Sequence, residues 1–221
     1  MYRCGAGVCH GDRKYGRVRT QHMIQSFREM VPVVHQSSYV HPMALVIGHV
    51  TIGPDCYVGS GAVLRGDWGR IILESGCNVQ ENAVLHMFPG ATVHLKTGAH
   101  IGHGAMIHGA TIGEQCMVGM NAVILDDAEL GSGSIVGALA MVKAKSIWDE
   151  RSLLLGNPAK CIGQVSDAML AHKIEGTALY QRLPADMMAF AKTCEPLSEG
   201  DADRPGDFPS FDTWQSRKGG G

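Results

Sequence analysis

The amino-acid sequence predicts a mainly β fold: a parallel β-helix followed by a C-terminal α-helix. Three observations carry that expectation. An aliphatic residue recurs every six positions through the middle of the chain, a small residue recurs four places after it, and the 29 glycines accompany 45% apolar but only 6% aromatic residues. A core built with few aromatics needs many narrow slots filled by Val, Ile, Leu and Ala, which is the mark of a repeat architecture.

The aliphatic series runs Val40, Val46, Ile52, Val58 and Leu64, resumes after an insertion at Leu73, Val79 and Leu85, and resumes again at Leu95, Ile101 and Ile107. One residue is then deleted, and Ile112, Val118, Ile124, Leu130, Val136 and Val142 keep step. The small series includes Ala44, Cys56, Ala62, Cys77, Ala83, Ala99, Ala105, Cys116, Ala122, Ala128, Ser134 and Ala140. An amphipathic helix repeats at about 3.6 residues and a half-buried strand at about 2. A period of six fits a coil of three short faces, each giving one aliphatic and one small side chain to a narrow interior. Seventeen aliphatic positions at three per coil predict between five and six coils. The same register makes Cys56, Cys77 and Cys116 interior residues. It assigns Asn82 and Asn121 to turns that need left-handed backbone.

The flanks divide the chain into an N-terminal extension, partly disordered, over 1–29, the β-helix over 30–165, a helical segment over 166–194 and a disordered tail over 195–221. Cys4, Cys9 and His10 form an incomplete metal set in the extension, and Met23 is an alternative start. Gly156 to Lys160 is the turn that leaves the last coil. Ser166 caps the following helix, with Leu170, Ile174 and Leu179 or Leu183 on its buried side. Pro184 is expected to end it, with a second short helix running to about Cys194.

Charge and composition remove several classes. A net charge of −2 and a pI near 6.6 give no electrostatic reason to bind nucleic acid or an anionic membrane. No apolar run approaches the roughly 18 residues of a membrane span. Seven cysteines, an odd number without a compact framework, point to a reducing, cytoplasmic setting.

Chemistry is expected where the repeat is interrupted. His35, His41, His49, His94 and His172 read as turn, surface or core residues. His86 directly follows Leu85, the last aliphatic before an insertion, and His108 directly follows Ile107, the last before the deletion. Counting faces places Ile107 one coil above Leu85, so the two histidines stack on one outward face at a spacing of roughly 4.8 Å. Two imidazoles so placed can lean onto one ion at about 2.0–2.1 Å each. Arg65 falls one coil below His86. His103 and Gln80 belong to the preceding face, out of easy reach of that ion. A three-fold trimer would bring this face against the first face of a neighbour and complete a shared site.

These stretches resemble the γ-carbonic anhydrases: Arg65-Gly66-Asp67, Asn78 to Asn82, His86, and His100 to Gly109. Within that family the likeness is nearest to the branch tied to phenylacetate and carnitine breakdown. The resemblance covers roughly residues 30–185. It implies hexapeptide coils wound left-handed, a homotrimer with metal sites between subunits, and His86, His103 and His108 as the ligands. It further implies an intersubunit ion pair of Arg65 with Asp67, and Gln80 holding the reacting water with Asn78 behind it. Tyr180 would face the pocket from the terminal helix. Three neutral imidazoles leave a coordination position open, and a metal so held lowers the pKa of its water to about 7. Zn2+ is the default, with Fe2+ or Co2+ as alternatives. The hydroxide so formed would attack a CoA thioester or CO2. An apolar rim of Trp68, Met87 and Phe88, with no acidic residue in the loop after His86, favours an acyl-CoA over CO2. An acyltransferase that uses a histidine base and a non-catalytic scaffold subunit are the other readings.

Overall fold

The computed structural model of the chain describes residues 23–200, 206 and 209–218; the Cys4, Cys9 and His10 set lies outside the described residues. The chain winds through about seven parallel turns, each laying one short strand on each of three faces. Rung above rung, the first face carries Ile24, Val46, Leu64, Leu85, Ile107, Ile124 and Val142. The second carries Val34, Ile52, Leu73, Leu95, Ile112, Leu130 and Trp148. The third carries Val40, Val58, Val79, Ile101, Val118, Val136 and Leu154. The six-residue period is therefore the coil itself. The expected five to six coils fall short of the seven because the step continues at Val34, Trp148 and Leu154. Ile24–Gln25, inside the segment expected to be an extension, also pairs with Val46–Ile47 as a further rung.

Each interior aliphatic contributes about 1.5–3 kcal/mol by leaving water, and the small series lets opposite faces approach closely enough to exclude it. Ala62, Ala83, Ala99, Ala105, Ala122 and Ala128 are all fully buried. Cys56, Cys77 and Cys116 occupy the same slots, and their thiols donate to the carbonyls of Glu74, Lys96 and Gly131 at 3.0, 3.2 and 3.1 Å. Asn82 and Asn121 sit in left-handed turns with φ of 61° and 54°, as their side chains allow.

The two insertions meet at one corner. Val63–Leu73 is a single strand that runs from the first face round to the second, so Arg65, Asp67 and Trp68 lie along its bend. The loop after His86 folds back onto it, with Gly90 N–H donating to Trp68 O at 2.8 Å and Arg70 N–H to Ala91 O at 3.1 Å.

Helix α1 (Asp167–Phe190) starts as expected, with the Ser166 side chain accepting from Met169 N–H at 3.2 Å. It then departs from expectation in two ways. Pro184 lies inside the helix with its ring buried, and one continuous helix replaces the expected break. Its buried side is Lys173, Thr177 and Pro184, while Ile174 is exposed. The reason is polar docking: α1 lies across the turns of the coil, where carbonyls rather than methyl groups face it. Lys173 Nζ donates to Gly98 O at 2.6 Å and to Gln115 Oε1 at 2.8 Å, and Gln181 Nε2 donates to Gly76 O at 3.2 Å. Part of the segment expected to be disordered forms a short helix α2 (Trp214–Lys218), which Arg217 ties to Glu175 of α1 at 2.6 Å. Among the described residues no helix is long and apolar enough to cross a membrane.

Candidate functional site

The corner made by the two insertions carries the first cluster. His86 and His108 are Cα partners on adjacent rungs, as the count of coils requires. Their rings face each other, His86 Nδ1 to His108 Nε2 at 3.3 Å. Each ring has its other nitrogen on a carboxylate: His86 Nε2 on Asp67 Oδ1 at 3.2 Å, and His108 Nδ1 on Asp126 Oδ1 at 2.6 Å. Arg65 donates to Asp67 Oδ2 at 2.8 Å. Burial alone would raise the Asp67 pKa, but the Arg65 hydrogen bond and charge hold its carboxyl below the usual range. Burial, then the Arg65 charge, lowers the His86 pKa against the pull of Asp67. Trp68 leans on the His86 ring with centroids 5.3 Å apart, and Phe88 meets the His108 ring edge-on at 5.0 Å.

Asp67 and Trp68 also line a cavity of about 580 Å³ shared with Phe27, Arg28, His49 and Arg70. The expected apolar rim is corrected at one position. Trp68 and Phe88 are exposed, but Met87 is fully buried, because the loop tucks it against Gly69, where an added Cβ would lie 2.7 Å from Met87 Cγ. The Arg65–Asp67 pair, expected between subunits, closes within one chain, two residues apart on one strand.

The third face carries the second cluster. Asn78 and Gln80 are buried, and Gln80 Nε2 lies 3.0 Å from Asn78 Oδ1 and 2.6 Å from His100 Nε2. His100 Nδ1 lies 3.2 Å from Asn78 Nδ2 and 3.4 Å from Thr177 Oγ1 of α1. Tyr180 crosses the His100 ring at 5.2 Å and borders a cavity of about 540 Å³ with Leu179, Leu183 and Pro209. His103 Nδ1 pairs with Glu81 Oε2 at 2.7 Å, with the histidine side chain 44% exposed.

Within one chain the structure thus brings Arg65, Asp67, His86 and His108 together on one side, and Asn78, Gln80, His103 and Tyr180 on another. Among the described residues, no group of three or more His, Cys, Asp or Glu side chains converges as a metal site in the single chain. Sequence reasoning missed Glu81 and Asp126. Glu81 was legible, since Val79 and Ile101 are Cα partners and Glu81 stands two places after one as His103 stands after the other. Asp126 was hidden by the deletion after Ile107, which offsets the register between His108 and the rung above. Three of the other histidines serve structure. His35 and His41 accept backbone N–H groups in their own turns, and His94 pairs with Glu74.

Comparison with known proteins places the coil. The profile of a family described as bacterial transferase hexapeptide (six repeats) matches residues 32–66 and 109–144. The chain is 41% identical over 180 residues to the carnitine operon protein CaiE of Salmonella agona, covering 81% of this chain and 91% of that protein. To CaiE of Escherichia coli K12 it is 40% identical, covering 81% and 92%. Among solved structures, a proposed acetyltransferase of Bacillus cereus superposes with a TM-score of 0.74 at 25% identity, over 75% of this chain and 96% of that one. A hexapeptide transferase family protein of Anaplasma phagocytophilum gives 0.71 at 26% identity, over 74% and 97%. The fold is thus the left-handed β-helix of hexapeptide proteins.

Proposed function

Because the chain belongs to the hexapeptide-repeat family that includes the carnitine operon protein CaiE, we propose that it acts on acyl thioesters, hydrolysing them at a metal site shared between subunits of a homotrimer. His86 and His108 of one subunit and His103 of the partner subunit would hold the ion.

One observation carries this reading. With His86 Nε2–H and His108 Nδ1–H given to their carboxylates, the nitrogens that face each other at 3.3 Å both present lone pairs. Two neutral acceptors at that distance repel unless a proton or a cation lies between them. Tetrahedral ligands at about 2.0–2.1 Å from a zinc ion stand roughly 3.3–3.4 Å apart, so the pair fits a metal. Carboxylates behind ligating imidazoles are the usual support for such a site, and Glu81 gives His103 the same backing. A trimer is supported by exposed apolar groups on the corner that carries His103. Met120, one coil above His103, is 57% exposed and Leu139, above it, 70%.

The bound ion, zinc by default and Fe2+ or Co2+ otherwise, would supply Lewis-acid activation of water and of a carbonyl oxygen. The chain's own residues do the rest. Asp67 and Asp126 hold the imidazole protons at the far nitrogens, and Arg65 keeps Asp67 ionised. Trp68 and Phe88 offer an apolar rim to the acyl group, and the adjoining cavity takes the remainder of the substrate. The same set would serve hydration of CO2, which needs no such rim.

Acyl transfer to a second substrate is a second reading. The comparisons speak for it more than for metal-dependent hydrolysis, through a family described as transferases and similarity to a proposed acetyltransferase. One contact on this chain favours it: Asp126, 2.6 Å from His108 Nδ1, would orient that ring as a general base acting through Nε2, the nitrogen that faces His86.

Metal analysis of freshly purified protein, with wild type and His108→Ala assayed on acyl-CoA with and without an amine acceptor and on CO2, separates these readings. About one ion per chain, lost with His108 together with acyl-CoA hydrolysis, supports the hydrolase. A metal-free protein that acylates the acceptor supports the transferase and removes the metal.

A further inference from the structure

Gln80, Asn78 and His100 form a closed triangle of polar contacts, and a neutral histidine cannot satisfy all three sides. Gln80 Nε2 meets Asn78 Oδ1 at 3.0 Å and His100 Nε2 at 2.6 Å, while Asn78 Nδ2 meets His100 Nδ1 at 3.2 Å. As the two amides stand, both donate to His100, which would need two lone pairs on a ring that carries one proton. Turning both amides over would need both ring nitrogens protonated. Turning one amide alone sets two oxygens or two NH2 groups against each other across 3.0 Å.

The ring cannot readily take the second proton. It lies under α1 beside the buried Lys173, and burial, then the charges of Lys173 and His103, push its pKa down to about 3. With one proton, two arrangements keep both short sides and give up only the longest: the amides as the structure sets them with the proton on Nδ1, or both amides turned over with it on Nε2. The amides in the structure have the first. His100 then carries its proton on Nδ1, where Thr177 Oγ1 at 3.4 Å is an alternative acceptor. Its Nε2 accepts from Gln80. Both hydrogens of the Gln80 amide are then used, one on Asn78 and one on His100, and the carbonyl Oε1 is the end this cluster leaves free.

We propose that His100 is a positioning residue: protonated on Nδ1 beside Thr177 of α1, it fixes the Gln80 amide so that an acceptor, not a donor, is left for the reacting site. This rests on the reading of Gln80 as the group that holds the reacting water. An acceptor there would take a hydrogen from attacking water and orient its lone pair. A donor would compete for that lone pair.

The test is nitrogen NMR of the whole protein with labelled histidine and glutamine side chains. The expected spectrum has His100 protonated at Nδ1 only, unchanged between about pH 5 and 8, with a coupling across the hydrogen bond from Gln80 Nε2 to His100 Nε2. Thr177→Val should weaken the tautomer preference and Thr177→Ser should keep it. A ring protonated at Nε2, or at both nitrogens in that range, overturns the proposal. In acyl-CoA hydrolysis, Gln80→Ala and His100→Ala should each lower kcat/KM about tenfold, and the double variant should be no worse than Gln80→Ala. Multiplying losses would contradict it. A wild type that hydrolyses no acyl-CoA would remove the proposed function, and the spectrum alone would then decide the amide's orientation.

Discussion

His86 Nδ1 faces His108 Nε2 across 3.3 Å, and the proton that could bridge them is drawn to carboxylates on the far sides of both rings. The carboxylate behind His108 therefore distinguishes the two chemistries open to the site. Asp126→Asn keeps the shape of the contact but weakens the polarisation of the ring. On the metal reading, affinity for zinc falls about 10–100-fold, as measured by competition with a chelating dye. On the general-base reading, turnover falls while metal content is unaffected.

Lys173 makes the docking of α1 depend on pH. Burial lowers its pKa from 10.5 to about 8. Below pH 8 the ammonium is protonated in both folded and unfolded chains, and the folded state carries the full cost of burying it. Between 8 and 10.5 the folded state binds fewer protons than the unfolded one, so stability rises with pH. The amine that remains still has two hydrogens for Gly98 O and Gln115 Oε1. Cys116, pushed up by burial to about 11, works in the opposite sense above its ordinary 9.0, so the useful window is pH 8 to 9. Urea unfolding should show wild type gaining roughly 1 kcal/mol relative to Lys173→Met across that window. Parallel curves for the two proteins would count against the assignment.

The coil should respond to truncation on the rung that carries His86. Leu85 is fully buried and directly precedes His86. Leu85→Ala leaves a cavity in a narrow interior where neighbouring rungs cannot collapse, and should cost about 2–5 kcal/mol. Denaturant unfolding measures that loss. Loosening the rung should also weaken metal binding, whereas Val142→Ala, three rungs above on the same face, should destabilise without touching the metal.

The coil was legible in the sequence because its interior admits one aliphatic and one small side chain per face, so geometry writes itself as a period of six. The stacking of His86 on His108 followed from the same count. The docked face of α1 was not legible, since a search for an apolar stripe selects Leu170 and Ile174, whereas the helix meets carbonyls and binds them through Lys173 and Gln181. Met87 reads as rim when its loop is taken as open. The glycine at 69 that lets the side chain pack inward carries no period. Asp126 escaped because a one-residue deletion breaks the register next to the residue it supports.

Subunit complementation tests most directly whether the site is divided between chains. His103→Ala and His108→Ala chains are purified separately, unfolded together in equal amounts, and refolded with zinc. Each variant trimer alone should hold almost no metal. In random mixed trimers, an interface is whole only where a His103→Ala chain supplies His86 and His108 and a His108→Ala chain supplies His103. About one quarter of the wild-type metal and activity should therefore return. Recovery of none, with each variant folded, would mean that the ligands act within one chain and would contradict the shared site.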